Sequence, residues 1–352
     1  MTIAETNLGV LRNVYVQPSP SRNYVMQWNL NVEQTLPRNT GVLVGYVGSR
    51  GVHQPFRVDD INLVLPSALY QGYVWPVPAG SGQKINPNVG RLDGLMWLGD
   101  SYYDALQIQL RTAPFSGLDV RAAYTWGKSI DTGSATIAGD QFSNSISSLP
   151  WFDTRLNRGP SDFNVAQNFS WHFDWSVPVL GYHASSVLRR GWHLGGTFQA
   201  STGSPFTFVV GGDPLGLKNS DPFDVPDRLR GQGCSTATLD PHTISYANMA
   251  CFAFPLPSTR RGNLGRNSLT GPGLRNADVS LHKDTIIDRI SDHFNVQLRL
   301  DVFNLLNHAN FAPPLNHKAL FNANGTIVPG AGLIDSTQTP PRQLQVGLKL
   351  SW

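Results

Sequence analysis

Two cysteines, Cys234 and Cys251, are the whole thiol content of this chain. An even pair allows a single connectivity. A disulfide fits an oxidising compartment, and two free thiols are the alternative. A metal site is disfavoured, because no further Cys or paired His lies nearby in sequence. The stretch Asp221-Pro-Phe-Asp-Val-Pro-Asp227 offers three carboxylates that could hold Ca²⁺ through oxygen. Its spacing does not match an EF-hand loop, and its two prolines mark turns, so solvated turn carboxylates are expected. Gly80-Ser-Gly-Gln-Lys84 lacks phosphate-loop spacing and follows no buried strand; it reads as a flexible loop. His172, His193 and His282 fall on polar strand positions near Asp174 or Asp278. A Ser–His–Asp set could be drawn from them, although these residue types are common on any wet face. Gln297, Arg299 and Asp301 are spaced by two, which puts them on one face of a strand. An ion-pair network is the plain reading there, and substrate contact the sharper one. No catalytic, cofactor-binding or metal set is expected from these patterns, and the chain does not read as an enzyme.

The elements that carry these residues are strands. The clearest is the last, residues 342–352, where Leu344, Val346, Leu348, Leu350 and Trp352 alternate with Gln343, Gln345, Gly347, Lys349 and Ser351. Period-two alternation makes one face apolar and the other polar. Eight earlier segments behave alike: 24–36, 41–48, 101–112, 118–129, 165–177, 192–202, 276–285 and 294–306. In 165–177, for example, Phe169, Trp171, Phe173 and Trp175 oppose Ser170, His172, Asp174 and Ser176. Short connections (37–40, 113–117, 178–191, 286–293) alternate with long ones (49–100, 130–164, 203–275, 307–341).

Composition narrows the class. Only 14% of residues are charged, while Gly and Pro number 34 and 25, which suits many strands and loops. The net charge of +3 is small and spread out, so no nucleic-acid partner is indicated. No apolar run approaches the roughly eighteen residues of a transmembrane helix. Barrel strands are shorter and only half apolar, so that absence leaves a membrane barrel open. Long structureless loops would argue against a compact soluble domain. They suit an outer-membrane barrel, with short periplasmic turns and long extracellular loops. Counting back from a periplasmic C-terminus puts every long loop outside. On that reading the apolar faces meet lipid, aromatic residues near strand ends sit at the interface, and Gln297, Arg299 and Asp301 face the lumen. The soluble β-sandwich, whose strands alternate equally well, explains neither the aromatic ends nor the charged opposite faces.

Several stretches resemble TonB-dependent receptors of the Oar-like type: Tyr124-Thr-Trp-Gly-Lys-Ser-Ile-Asp131, Gly262-Asn-Leu-Gly-Arg-Asn267 with Gly271-Pro-Gly273, and Asp301-Val-Phe-Asn-Leu-Leu-Asn-His308 with Asn310-Phe311. The strand from Tyr24 leading to Gly45-Tyr-Val-Gly-Ser-Arg-Gly51 fits the same family, and 342–352 resembles its C-terminal assembly signal. The resemblance covers about residues 20–352. It implies a plugged barrel of about 22 strands, of which this chain would hold the last nine.

The expectation is therefore an all-β, transmembrane antiparallel barrel portion over residues 24–352, with 1–23 a loop remnant or partial strand. The resemblance implies ligand uptake gated by a plug and powered through TonB, with the plug, TonB-contacting box and signal peptide missing. An odd strand count supports truncation and predicts that the chain alone is not transport-competent. The implied partners are outer-membrane lipid, the barrel assembly machinery, an unknown extracellular ligand, and TonB only through the missing region. The alternatives are a stand-alone porin, an adhesin-like structural barrel and, further off, an outer-membrane hydrolase.

Overall fold

The computed structural model describes residues 13–69, 72–135, 142–146, 150–178, 189–218, 224–256, 260–291 and 293–352. Among them, nine long strands form one up-and-down sheet. They are β1 (Tyr24–Leu36), β2 (Thr40–Val58), β3 (Leu92–Thr112), β4 (Leu118–Asp131), β5 (Gln167–Ser176), β6 (Trp192–Ser201), β7 (Leu274–Ile286), β8 (Asn295–Phe303) and β9 (Gln343–Ser351). Each is antiparallel to its neighbours in sequence, and β1 and β9 are the two free edges of this path. All nine predicted segments are present.

Alternation decides which side chains share a face. The register aligns Leu30, Tyr46, Leu106 and Trp126 across β1–β4, and Leu281, Leu300 and Val346 across β7–β9. Nothing among the described residues covers this apolar face: Leu344, Val346, Leu348, Leu350 and Trp352 are 48–88% exposed. The shortest strands, β5, β6, β8 and β9, have 9 or 10 residues, the length that crosses a bilayer at a tilt. Tight turns close one end. Between β1 and β2, Arg38 and Asn39 both take positive φ (62° and 52°), a geometry that Asn tolerates well. Between β3 and β4, Gly117 has φ 81°, and a Cβ there would run into the Ser176 carbonyl oxygen. Glycine is required at that position.

The opposite end differs from expectation. The long connections are not structureless; they fold together into a cap. Short pairs stitch it: Pro205–Phe206 with Leu269–Thr270, Asp227–Arg228 with Phe252–Ala253, and Val209–Val210 in parallel with Ala319–Phe321. One core gathers Phe206, Phe208, Val225, Cys251, Leu264 and Leu320. A second packs Leu63, Val64, Trp75, Leu215 and Leu217. The third, Phe56, Val58 and Ile61, seats the cap on β2 and β3. Both strands run past their predicted limits, to Val58 and back to Leu92, through register shifts near Gln54. His53, with φ 51°, lies at that irregularity and hides the continuation from a period-two reading. The N-terminal partial strand also exists: Asn13–Val16 pairs in parallel with the cap end of β3.

Candidate functional site

The polar face of the sheet is concave. A hollow of about 750 Å³ along it is lined by Glu33, Gln109, Arg111, Arg121, His172 and Gln199 among others. Period two brings each of these inward because its apolar neighbours point outward. Asp119 lies 2.8 Å from Arg121 and 3.6 Å from Arg111. Their side chains remain largely in solvent, so the pairs add little stability and leave charge available to a ligand. On β8, Arg299 pairs with Asp301 at 2.8 Å, and Asp301 is nearly covered while Arg299 stays half-exposed. Gln297, on the same face, donates to Asp284 at 3.0 Å. All three residues thus share the polar wall, as the spacing required.

The histidines are not placed as the sequence suggested. His172 lies opposite Arg121 and Thr197 in the register. His193 and His282 face each other across β6 and β7, their rings stacked 4.6 Å apart. Their carboxylate is Asp284, not Asp174 or Asp278: its Oδ2 is 3.7 Å from His193 Nε2 and 4.0 Å from His282 Nε2. Ser176 Oγ lies 3.1 Å from His193 Nδ1, so a serine, a histidine and an aspartate do meet. Among the described residues, no free backbone donor stands beside the serine to form an oxyanion site. The Ser176 and Val177 N–H groups donate to the Gly117 and Trp192 carbonyls. Backbone donors spent in pairing cannot stabilise a developing oxyanion. Among the described residues, His193, His282 and Asp284 form the one group of three that could hold a metal ion. The register that unites β6 and β7 spans a long loop, and no local pattern announces it.

The cap carries its own chemistry. Cys234 and Cys251 are joined by a disulfide. Of the three loop aspartates, Asp221 lies outside the described residues, and the other two are not solvated. Asp227 is buried in a bidentate pair with Arg260. Asp224 is buried too; its Oδ1 accepts from the Val225 and Gly262 N–H groups at 2.7 and 3.1 Å. Burial outweighs those bonds and pushes its carboxyl up to about 6. A carboxyl so drawn to its neutral form is a poor calcium ligand. Arg266 ties the cap to the sheet. It pairs with Asp131 at the end of β4 and with Asp162 at 2.8 Å, and donates to the Asn157 carbonyl at 2.7 Å. Near the end of the sheet, the guanidinium groups of Arg50 and Arg158 each lie over the Tyr102 ring, at 5.1 and 5.2 Å from its centre. By the register, Arg50 and Tyr102 stand on the same face as Tyr46 and Leu106, so this cation–π group belongs to the outer face and not to the polar wall.

Set beside known proteins, residues 3–345 match the model of a family described as outer membrane beta barrel domain. No curated protein matches. Among solved structures, the outer membrane transporter YddB from Escherichia coli is similar over 93% of this chain, at 10% identity and a TM-score of 0.43. The match takes in 32% of that chain, so this protein spans about a third of the transporter's length.

Proposed function

The chain belongs to the outer membrane beta barrel domain family and resides in the outer membrane, and from that premise we propose that it forms part of the wall of a TonB-dependent, Oar-like receptor. The observation that carries the reading is the sheet itself: nine strands in sequence order, apolar outside and polar inside, with two edges left open. Unpaired backbone does not survive in hydrocarbon, so β1 and β9 need further strands beside them. A large plugged barrel supplies those strands and explains why so wide a polar wall is curved but not closed. In this reading the tight turns lie on the periplasmic side and the cap lies outside the cell, where its disulfide persists.

The roles divide accordingly. The cap, folded from the long connections, meets the incoming ligand. The polar wall, with Arg111, Asp119 and Arg121, lines its path. Contact with TonB belongs to a plug outside residues 24–352. The strand ending at Trp352 is the handle for the assembly machinery, and lipid covers the apolar face. No step of this function is catalytic.

An antibody against residues 276–352, used on native outer-membrane fractions, tests the proposal. A band well above 38.6 kDa, the mass of this sequence, is expected. A single band near that mass would overturn the receptor reading and favour a porin or an adhesin-like barrel assembled from these strands alone.

A further inference from the structure

We propose that His193, His282 and Asp284 form a binding site for a divalent transition-metal ion of the zinc, nickel or copper class, set in the polar wall near the tight-turn end. The site stands on the sheet register and does not depend on TonB coupling.

Three observations build it. First, the ligand atoms converge. One ring nitrogen from each histidine and an Asp284 oxygen all lie within 4.8 Å of one another. Bonds of about 2.0–2.1 Å to a tetrahedral ion would put ligand atoms about 3.4 Å apart. The separations of 3.7 and 4.0 Å from Asp284 to the imidazoles are close to that value, and a turn of one stacked ring about its side chain brings both Nε2 lone pairs to one ion. Second, two of the three ligands, His193 and Asp284, are held from behind. Ser176 Oγ is 3.1 Å from His193 Nδ1; in the tautomer with the proton on Nδ1, the hydroxyl accepts it and Nε2 keeps its lone pair for an ion. Asn295 Nδ2 and Gln297 Nε2 donate to Asp284 Oδ1 at 2.8 and 3.0 Å, leaving Oδ2 toward the imidazoles. Such supporting hydrogen bonds are the usual outer shell of a metal site. Third, the pocket is open. The three side chains are 27–30% exposed, enough for an ion to enter and for a fourth ligand to come from water or cargo.

The donor set chooses the ion. Two imidazoles and one carboxylate suit zinc, nickel or copper, and are too few and too soft for calcium or magnesium. The charges around the site permit it. Arg299, opposite His282 in the register, is turned to Asp301, and Lys349 lies opposite Gln297 rather than beside the histidines. A plain histidine–aspartate ion pair is the competing account, and it predicts no metal uptake.

The test uses untagged full-length protein, purified folded in detergent, stripped with a chelator and dialysed against zinc. One equivalent per chain is expected. His193→Asn and His282→Asn should each abolish it, and Gln297→Ala should weaken it by about 10–100-fold through the outer shell. His172→Asn, on the same wall, should leave it unchanged. Heat-modifiable gel mobility reports that each variant is folded, and cobalt substitution adds a ligand-field spectrum that a non-specific surface ion does not give. Folded protein that takes up no zinc would overturn the proposal, as would uptake that survives the double His193→Asn, His282→Asn variant.

Discussion

Leu348 in β9 and Phe208 in the cap are both large apolar residues, yet Leu348 is 65% exposed and Phe208 is wholly buried. The difference runs through the whole molecule. In the sheet the apolar side chains turn outward and leave the polar ones to line the hollow. In the cap the same residue types turn inward, around Phe206, Phe208 and Leu320 in one core and Leu63 and Leu217 in another. The band is solvated by lipid, which is as apolar as leucine, so packing there brings no hydrophobic gain. The cap is solvated by water and gains the usual transfer energy. One chain therefore obeys two burial rules, and the change falls near Phe56 and Val58, where β2 leaves the band.

Three tests ask whether the two regions are as separate as this comparison holds. The largest effect belongs to Arg266→Ala. It leaves Asp131 and Asp162 as buried carboxylates without their cation, at a cost of about 5 kcal/mol to the cap. Protease cleavage of the long loops should rise steeply while the heat-modifiable mobility of the strands persists. Loss of both together would mean that cap and band fold as one unit. Next is a matched pair. Phe208→Ala should cost the cap about 4 kcal/mol through transfer and cavity terms, whereas Leu348→Ala should cost the band less than about 1 kcal/mol. Urea titrations with protease for the cap, and thermal mobility shifts for the band, would give the two values; equal costs would end the distinction.

The smallest effect is a pH dependence confined to the cap. The Asp224 carboxyl rises from 3.8 to about 6, first by burial, against the N–H groups of Gly262 and Val225. The folded cap thus holds this proton more tightly than the unfolded chain does. Its contribution is fully present below the unfolded value, shrinks as pH rises from about 4 to about 6, and is level above that. At roughly 1.4 kcal/mol per pH unit the loss is at most about 3 kcal/mol. Loop proteolysis in urea should accelerate over that window, and Asp224→Asn should flatten the curve. A band whose thermal mobility shift followed the same curve would again join the two regions.

The sheet was legible because its rule is local. Alternation in 165–177 or 342–352 needs only neighbours in sequence, and the strands Gln167–Ser176 and Gln343–Ser351 fall within those limits. The cap was not legible, because its partners are distant. Val209 meets Ala319, and Arg266 meets Asp131, across stretches where no periodicity survives. For the same reason Asp224 and Asp227 read as solvated turns: the prolines beside them are visible in sequence, but the chain that buries them is not. Where β2 passes His53 and Gln54, the shifted register breaks alternation, and the strand stops for a reader of sequence though not for the fold. The wall residues fall between these cases. The spacing of Gln297, Arg299 and Asp301 gave their common face. The meeting of His193 with His282 and Asp284 needed a register set across the connection between β6 and β7.

The parallel pair of Val209–Val210 with Ala319–Phe321 bears on how the protein is made. It draws Leu320 and Phe321, and Ala331 with them, from the connection between β8 and β9 into a core whose other buried residues come from the connection between β6 and β7. That core cannot close until the last long connection has arrived on the same side as the others. The strands can add one hairpin at a time, each to its neighbour, but the cap must wait for the final one. Its completion is a record that every preceding hairpin has crossed.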